Sequence, residues 1–181
     1  MQRLVRSALS GLAAISVSLA ASAALEDAGD VEVRFLAVGP AGMKINGEAS
    51  ELKAKEKNGK VTLEVPVTNL KTGIGLRDKH LKKYLEVGKY PSATLEIDRS
   101  KLKFPENDKT VRASATGSFT LHGVTKPLKF QYKALRTGSD YHVQALATVD
   151  IRDHDVEVPC YLGVCVDPEV KLKVKLKLRE K

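Results

Sequence analysis

VRASATGSFTLHGVTKPLKFQYK, residues 111–133, decides the fold class. Val111, Ala113, Ala115, Gly117, Phe119 and Leu121 alternate with Arg112, Ser114, Thr116, Ser118 and Thr120. Successive side chains of an extended strand point to opposite faces, so this pattern gives one apolar face and one polar face. His122-Gly123 marks a turn, and Leu128, Phe130 and Tyr132 then resume the alternation against Lys129, Gln131 and Lys133. Two half-buried strands joined by so short a connection are antiparallel neighbours.

The same period recurs outward in both directions. Val31, Val33, Phe35 and Ala37 form one apolar set, Val61, Leu63, Val65 and Val67 another, and Ala93, Leu95 and Ile97 a third. Downstream, Tyr141, Val143, Ala145, Ala147, Val149 and Ile151 share a face, as do Val170, Leu172, Val174, Leu176 and Leu178. Residues 43–54 read as a weaker strand, which brings the count to about eight. Turn signals at Gly39-Pro40, Asn58-Gly59, His122-Gly123 and Asp167-Pro168 separate the strands. The chain is therefore all-β, a single domain of antiparallel strands, either closed into a barrel or stacked as two sheets. Closure removes the unpaired edges that such a sheet otherwise presents. Ala113, Ala115, Gly117, Ala145 and Ala147 all fall on the expected inner face, where small side chains leave room for a cavity or simply allow tight packing.

One segment breaks the period. TGIGLRDKHLKKYLEVGKYP, residues 72–91, has helical spacing at Leu76, His80-Leu81 and Tyr84-Leu85, with glycines at its entry and Gly88 and Pro91 at its exit. A single helical insertion in a β chain is expected to cover what the sheet encloses, with Leu76, Leu81 and Tyr84 as a lid. Arg77, Asp78 and His80 are candidates for a polar cap or a head-group contact; the alternative is local pairing of Asp78 with Arg77 or Lys82.

The first residues carry Arg3 and Arg6, then an apolar run from Ala8, then Ala21-Ser22-Ala23. That order predicts an export leader over residues 1–23, leaving a domain at 24–181. The run is short and broken by Ser10, Gly11, Ser16 and Ser18, which disfavours a membrane anchor, and no second run is long enough to span. The chain has 30 basic and 22 acidic residues, a formal net charge of +8. It lacks Trp and has few aromatics, which argues against a nucleic-acid surface. Its two cysteines, Cys160 and Cys165, read first as a short disulfide in an oxidising compartment, with free thiols or a metal pair as alternatives.

No nucleophile motif, phosphate loop or ligand-spaced histidine set is visible, so no catalytic residue, metal or cofactor is assigned. His122 reads as a turn residue rather than a base. Asp153-His154-Asp155 alternates in direction on an extended chain and so makes a poor metal site. The Lys171, Lys173, Lys175 and Lys177 stripe belongs on an outer face, where lysines discourage edge pairing.

Three stretches together resemble the YceI-like family of exported bacterial proteins: TGIGLRDKHLKKYLEVGKYPSATLE, GSFTLHGVTKPLKF and VPCYLGVCVDPEVKLKVKL. The resemblance rests on Arg77-Asp78, His80-Leu81 and Tyr90-Pro91, on residues 121–127, and on Pro159, Gly163, Val166, Glu169 and Val170. It implies a lipocalin-like barrel of about eight antiparallel strands that binds an isoprenoid or fatty-acid-like lipid in the periplasm, as carrier or store rather than enzyme; a homodimer is compatible with it. Phe35, Val65, Leu95, Phe119, Phe130, Tyr132, Val143 and Leu172 would then form the lipid-binding wall. The family's opening Asp-x-x-His-Ser element is absent, since that place reads LEDAGDVEVRF. Two rivals remain: an enzyme using an inward-facing polar pair, for example Asp78 with His80, on a lipid-like substrate, and a solid-cored module that binds a partner through its basic face.

Overall fold

The computed structural model describes residues 23–181, so the leader assigned to 1–23 lies outside the described residues except for Ala23. The strands are β1 (Leu25–Asp27), β2 (Glu32–Val38), β3 (Lys44–Ala49), β4 (Lys53–Lys57) and β5 (Lys60–Pro66), followed by helix α1 (Gly75–Tyr84). Then come β6 (Ser92–Asp98), β7 (Thr110–Leu121), β8 (Val124–Thr137), β9 (Asp140–Asp150), the small pair β10 (Cys160–Tyr161) and β11 (Val164–Cys165), and β12 (Glu169–Glu180).

All but β10 and β11 belong to one antiparallel sheet, and β1 closes it by pairing with β4 on one side and β12 on the other. The ring has eight strand positions because β1 and β2 share one of them. β1 pairs with the end of β12, Leu25 opposite Glu180, and β2 with its start, Phe35 opposite Leu172. β3 and β4 share the next position in the same way, so the weak strand expected at 43–54 is two strands broken at 50–52, where Leu52 turns into the core. The architecture is a closed eight-stranded antiparallel barrel with one helix, as the resemblance implies; of the two arrangements the alternation allows, it is the closed one.

The long hairpin β7–β8 runs in the register the alternation predicts, with Ala115 opposite Phe130 and Leu121 opposite Val124. Its turn has positive φ at both central residues, 52° at His122 and 78° at Gly123. This is the turn form whose twist matches that of the flanking strands. Of the two uses open to the small residues of β7, cavity or tight packing, the structure takes tight packing. β6 comes so close that a Cβ on Gly117 would lie 2.7 Å from the Glu96 carbonyl oxygen and 2.8 Å from Leu95 Cδ1. Ala115 is buried beside Ile97 and Phe130, with Ala113 packed against that cluster. Here the small side chains admit a neighbouring strand, whereas Ala145 and Ala147, on β9, line the open interior.

The barrel has two unlike ends. α1 joins β5 to β6 at the end that also carries the β7–β8 turn, the β2–β3 connection and the β10–β11 hairpin. At the other end, residues 99–104 cross the opening. Tyr132 fixes this crossing: its hydroxyl accepts from the Lys103 N–H at 2.6 Å and donates to the Lys103 carbonyl at 3.1 Å. Phe104 packs edge-on to Tyr141, with centroids 5.6 Å apart. Arg99 pairs with Glu56 and, at 3.1 Å, with Glu180, which also holds Arg136 at 3.2 Å. The Glu56 side chain is only 6% exposed. Removing a charge so deep from water is costly, and the guanidinium beside it offsets that cost.

Candidate functional site

The barrel encloses a cavity of about 710 Å³. Its walls are the inward set of nearly every strand. Phe35, Val65, Leu95 and Phe119 line it from β2, β5, β6 and β7, and Phe130, Tyr132, Val143 and Leu172 from β8, β9 and β12. The charged groups of the lining sit towards its ends: Arg77 and His80 on α1, Glu157 and Asp167 on either side of the β10–β11 hairpin, and Lys103 on the crossing segment. An apolar tube with polar groups at its ends accepts a long apolar chain and leaves a polar terminus near the openings.

The helix residues divide. Leu81 and Tyr84 line the cavity beneath α1, together with the buried Leu85. Leu76 does not; it is 67% exposed and turns away, which corrects its expected place in the lid. The reason is that α1 begins at Gly75, so Leu76 lies in the unpacked first turn rather than on the Leu81–Leu85 face. Asp78 is also absent from the lining. Thr72 donates its N–H and its hydroxyl to Asp78 Oδ1, both at 2.6 Å. Those hydrogen bonds hold the carboxyl below the usual carboxylate range, with Lys82 and Arg77 adding to the effect. Asp78 thus ties the loop before the helix to its first turn. Among the described residues no hydrogen bond or ion pair joins it to His80, so the Asp78–His80 pair, one example of what the enzyme rival needs, is not assembled.

The C-terminal end of α1 is latched to the barrel. Val87 N–H donates to the Lys82 carbonyl at 3.2 Å and Glu86 N–H to the Lys83 carbonyl at 3.1 Å, the paired bonds of a Schellman stop. The left-handed position belongs to Glu86, φ 44°, where glycine is usual. Its carboxylate lies 3.7 Å from His122 Nε2. His122 Nδ1 lies 3.3 Å from the His154 carbonyl, and His154, 3% exposed, donates from Nδ1 to the Val124 carbonyl at 2.9 Å. His154 is therefore a fastener between the β9–β10 connection and the β7–β8 turn. Among the described residues no cluster of three metal-ligating side chains occurs.

Cys160 and Cys165 are disulfide-bonded across the β10–β11 hairpin. Cys160 and Val164 line the cavity, as does Met43 from the β2–β3 connection. Sequence reading missed this part of the lining, because a two-residue strand has no period to detect and Met43 lies outside any alternating set. The lysine stripe of β12 lies on the outer face as expected; Lys175 pairs with Glu32 and Lys177 with Asp140, each at 2.9 Å.

Several solved structures share this architecture. A polyisoprenoid binding domain from Saccharophagus degradans, implicated in plant cell wall breakdown, superposes with a TM-score of 0.73 over 89% of this chain and 100% of its own, at 16% identity. BcnA of Burkholderia cenocepacia gives 0.66 over 81% of this chain and 95% of its own, at 14% identity. Among sequence relatives, a UPF0312 protein of Pseudomonas savastanoi pv. phaseolicola is 40% identical over 128 residues, 66% of this chain and 64% of that protein. The match spans 53% of a UPF0312 relative from Pseudomonas paraeruginosa and 68% of one from Pseudomonas putida, so the chain covers between half and two thirds of such relatives. The YceI-like domain family matches residues 25–178, from the closing strand β1 into the last barrel strand, β12. With that span matched and the barrel built as described, the chain belongs to the YceI-like family.

Proposed function

We propose that the protein holds a long-chain isoprenoid or a similar amphiphilic lipid inside its barrel, as a carrier or store in the periplasm. The observation that carries this reading is the apolar cavity of about 710 Å³ running between two polar ends. Each methylene moved from water into such a space gains about 0.8 kcal/mol, and ordering the chain offsets part of that gain. A tube of this kind measures length and girth but reads little else, so discrimination among lipids is loose. The Saccharophagus domain of the same fold is a polyisoprenoid binding domain, which supports this reading. The Cys160–Cys165 disulfide fits an oxidising compartment, as does the leader read from residues 1–23. A solid-cored module, the rival reading, requires a filled interior, and the cavity speaks against it.

Wall residues Phe35, Val65, Leu95, Phe119, Phe130, Tyr132, Val143 and Leu172 are assigned to the apolar chain, and Leu81 and Tyr84 to the cover above it. Arg77 and His80, at the helix end, are assigned to the polar terminus. Native mass spectrometry of gently purified protein tests the reading. A mass increment that organic extraction removes, and that proves to be an amphiphilic lipid, supports it. Protein that carries no lipid and takes up no apolar probe sinks it.

A further inference from the structure

Seven large apolar side chains stand exposed among the described residues, and five of them gather at one end of the barrel. Met43 lies in the β2–β3 connection, Ile74 and Leu76 at the start of α1, and Leu162 and Val164 in the β10–β11 hairpin. Met43 and Val164 also line the cavity, and the connections that carry them lie at its α1 end. Of the other two, Phe104 belongs to the crossing segment at the opposite end and Leu146 to the barrel wall on β9.

Leu162 is the sharpest of the five. It is 85% exposed at the tip of the hairpin, with φ 49° followed by Gly163 at 78°. That turn favours Asn-Gly, since asparagine tolerates the left-handed region and water alike. A leucine there is poor for the backbone and poor for solubility. The position gains nothing from Leu162 unless its side chain leaves water on meeting something else. The disulfide between Cys160 and Cys165 fixes the hairpin that presents it.

The same end of the barrel carries positive charge. Between Lys71 and Lys89 stand six basic residues against two acidic ones. Asp78 is engaged by Thr72 and Glu86 lies beside His122. Lys79, Lys82 and Lys83 are exposed on α1 and form no ion pair among the described residues. Glu157 and Asp167 flank the hairpin at its base, so the attraction for anions comes from the helix side.

We propose that this rim docks on the surface of an anionic bilayer. Leu162 enters the boundary between head groups and acyl chains, the lysines of α1 meet lipid phosphates, and the cavity mouth is set against the membrane. Apolar side chains that insert beside basic ones that attract are the two terms of interfacial binding. The apolar residues come from three separate segments around an opening rather than from one continuous face, which suits a fluid surface better than a protein groove. Docking in this way would let a lipid pass between bilayer and barrel without crossing water, and to that extent the inference rests on the lipid-binding reading.

Flotation of the purified, oxidised protein with phosphatidylcholine vesicles and with phosphatidylcholine–phosphatidylglycerol vesicles tests it. Binding to the anionic vesicles that fades at high salt is expected. Leu162→Asn should weaken it about 10-fold, the loss of one inserted aliphatic side chain. Because asparagine suits the turn better than leucine, this variant is expected to fold at least as well, and circular dichroism and the thermal midpoint check that. The combined Lys79→Gln, Lys82→Gln and Lys83→Gln variant should weaken it on the order of 100-fold. Equal binding to neutral vesicles, no binding to either, or indifference to both variants overturns the proposal. A dimer that Leu162→Asn dissolves also overturns it, by assigning the tip to a second copy. Uptake of a fluorescent apolar probe without vesicles is read separately. Failure of uptake with docking intact removes the lipid-binding reading and leaves the surface; the reverse result removes only the surface.

Discussion

Tyr90 meets the ring of His122 edge-on, with centroids 4.6 Å apart. One belongs to the Tyr-Pro that ends the helical insertion, the other to the turn of the longest hairpin, so two stretches distant in sequence form one joint. Gly123 is part of it: a Cβ there would lie 2.5 Å from the Tyr90 ring, and its φ is 78°. The joint sets where the cover sits on the barrel.

Gly123→Ala is accordingly expected to lose about 2 kcal/mol, because it adds backbone strain to a collision with Tyr90. Urea unfolding measures the loss. Hydrogen exchange should rise first in residues 75–90, since the cover loosens before the sheet does.

Arg99 faces Glu56 and Glu180 at the crossed end. Arg99→Met leaves Glu56 in the interior without its cation and should cost about 3 kcal/mol in urea. Adding Glu56→Gln should recover part of that loss, since the orphaned charge goes with it. A double-mutant cycle gives the coupling, and strictly additive losses would show that the pair is not the cause.

Ala145 and Ala147 line the cavity from β9. Ala147→Phe should fill part of the space, reduce uptake of an apolar probe at least 10-fold by excluding its chain, and leave the thermal midpoint within a few degrees. Unchanged uptake would place the probe elsewhere.

Asp140 sits between Arg179 at 2.6 Å and Lys177 at 2.9 Å, and their hydrogen bonds hold its carboxyl far below the usual carboxylate range. A group whose folded pKa is depressed contributes stability above its unfolded value, about 3.9, and loses it as the pH falls towards the folded value. Asp140→Asn should therefore lower the thermal midpoint at neutral pH, and the gap from the parent should close as the pH drops below about 4. A gap that persists in strong acid would mean that the charge is not what matters.

Cys160 and Cys165 close a loop outside the barrel sheet. The chain-entropy estimate for so short a loop is about 2 kcal/mol, but the hairpin can fray without opening the barrel. Replacing both cysteines by serine should leave the main unfolding transition nearly unchanged and speed the release of a bound probe. A large drop in the main transition would show that the hairpin is part of the barrel's cooperative unit.

Period two made most of this legible. Strands such as β7, β8, β9 and β12 are long, keep one wet face, and therefore announce both their extent and their inner residues; all eight side chains read as wall line the cavity. β1 was invisible because three residues carry no period. β3 and β4 merged because Leu52, which separates them, is itself apolar and buried. Size alone left Ala113, Ala115 and Gly117 undecided, since a small residue looks the same whether it faces open space or an approaching strand. In the helix, spacing found Leu81 and Tyr84, but the outward turn of Leu76 depends on where the helix starts, and local pattern places helix ends poorly.

The seam between β1 and β12 joins the two ends of the described chain, and Lys181 N–H donates to the Ala24 carbonyl at 3.0 Å. Contacts that span nearly a whole chain are the slowest to form, because the intervening loop must be ordered before they repay it. No shorter run of strands surrounds the cavity. The container comes into being only when this last seam zips, so folding rate sets how soon a newly made molecule has an enclosed interior to offer.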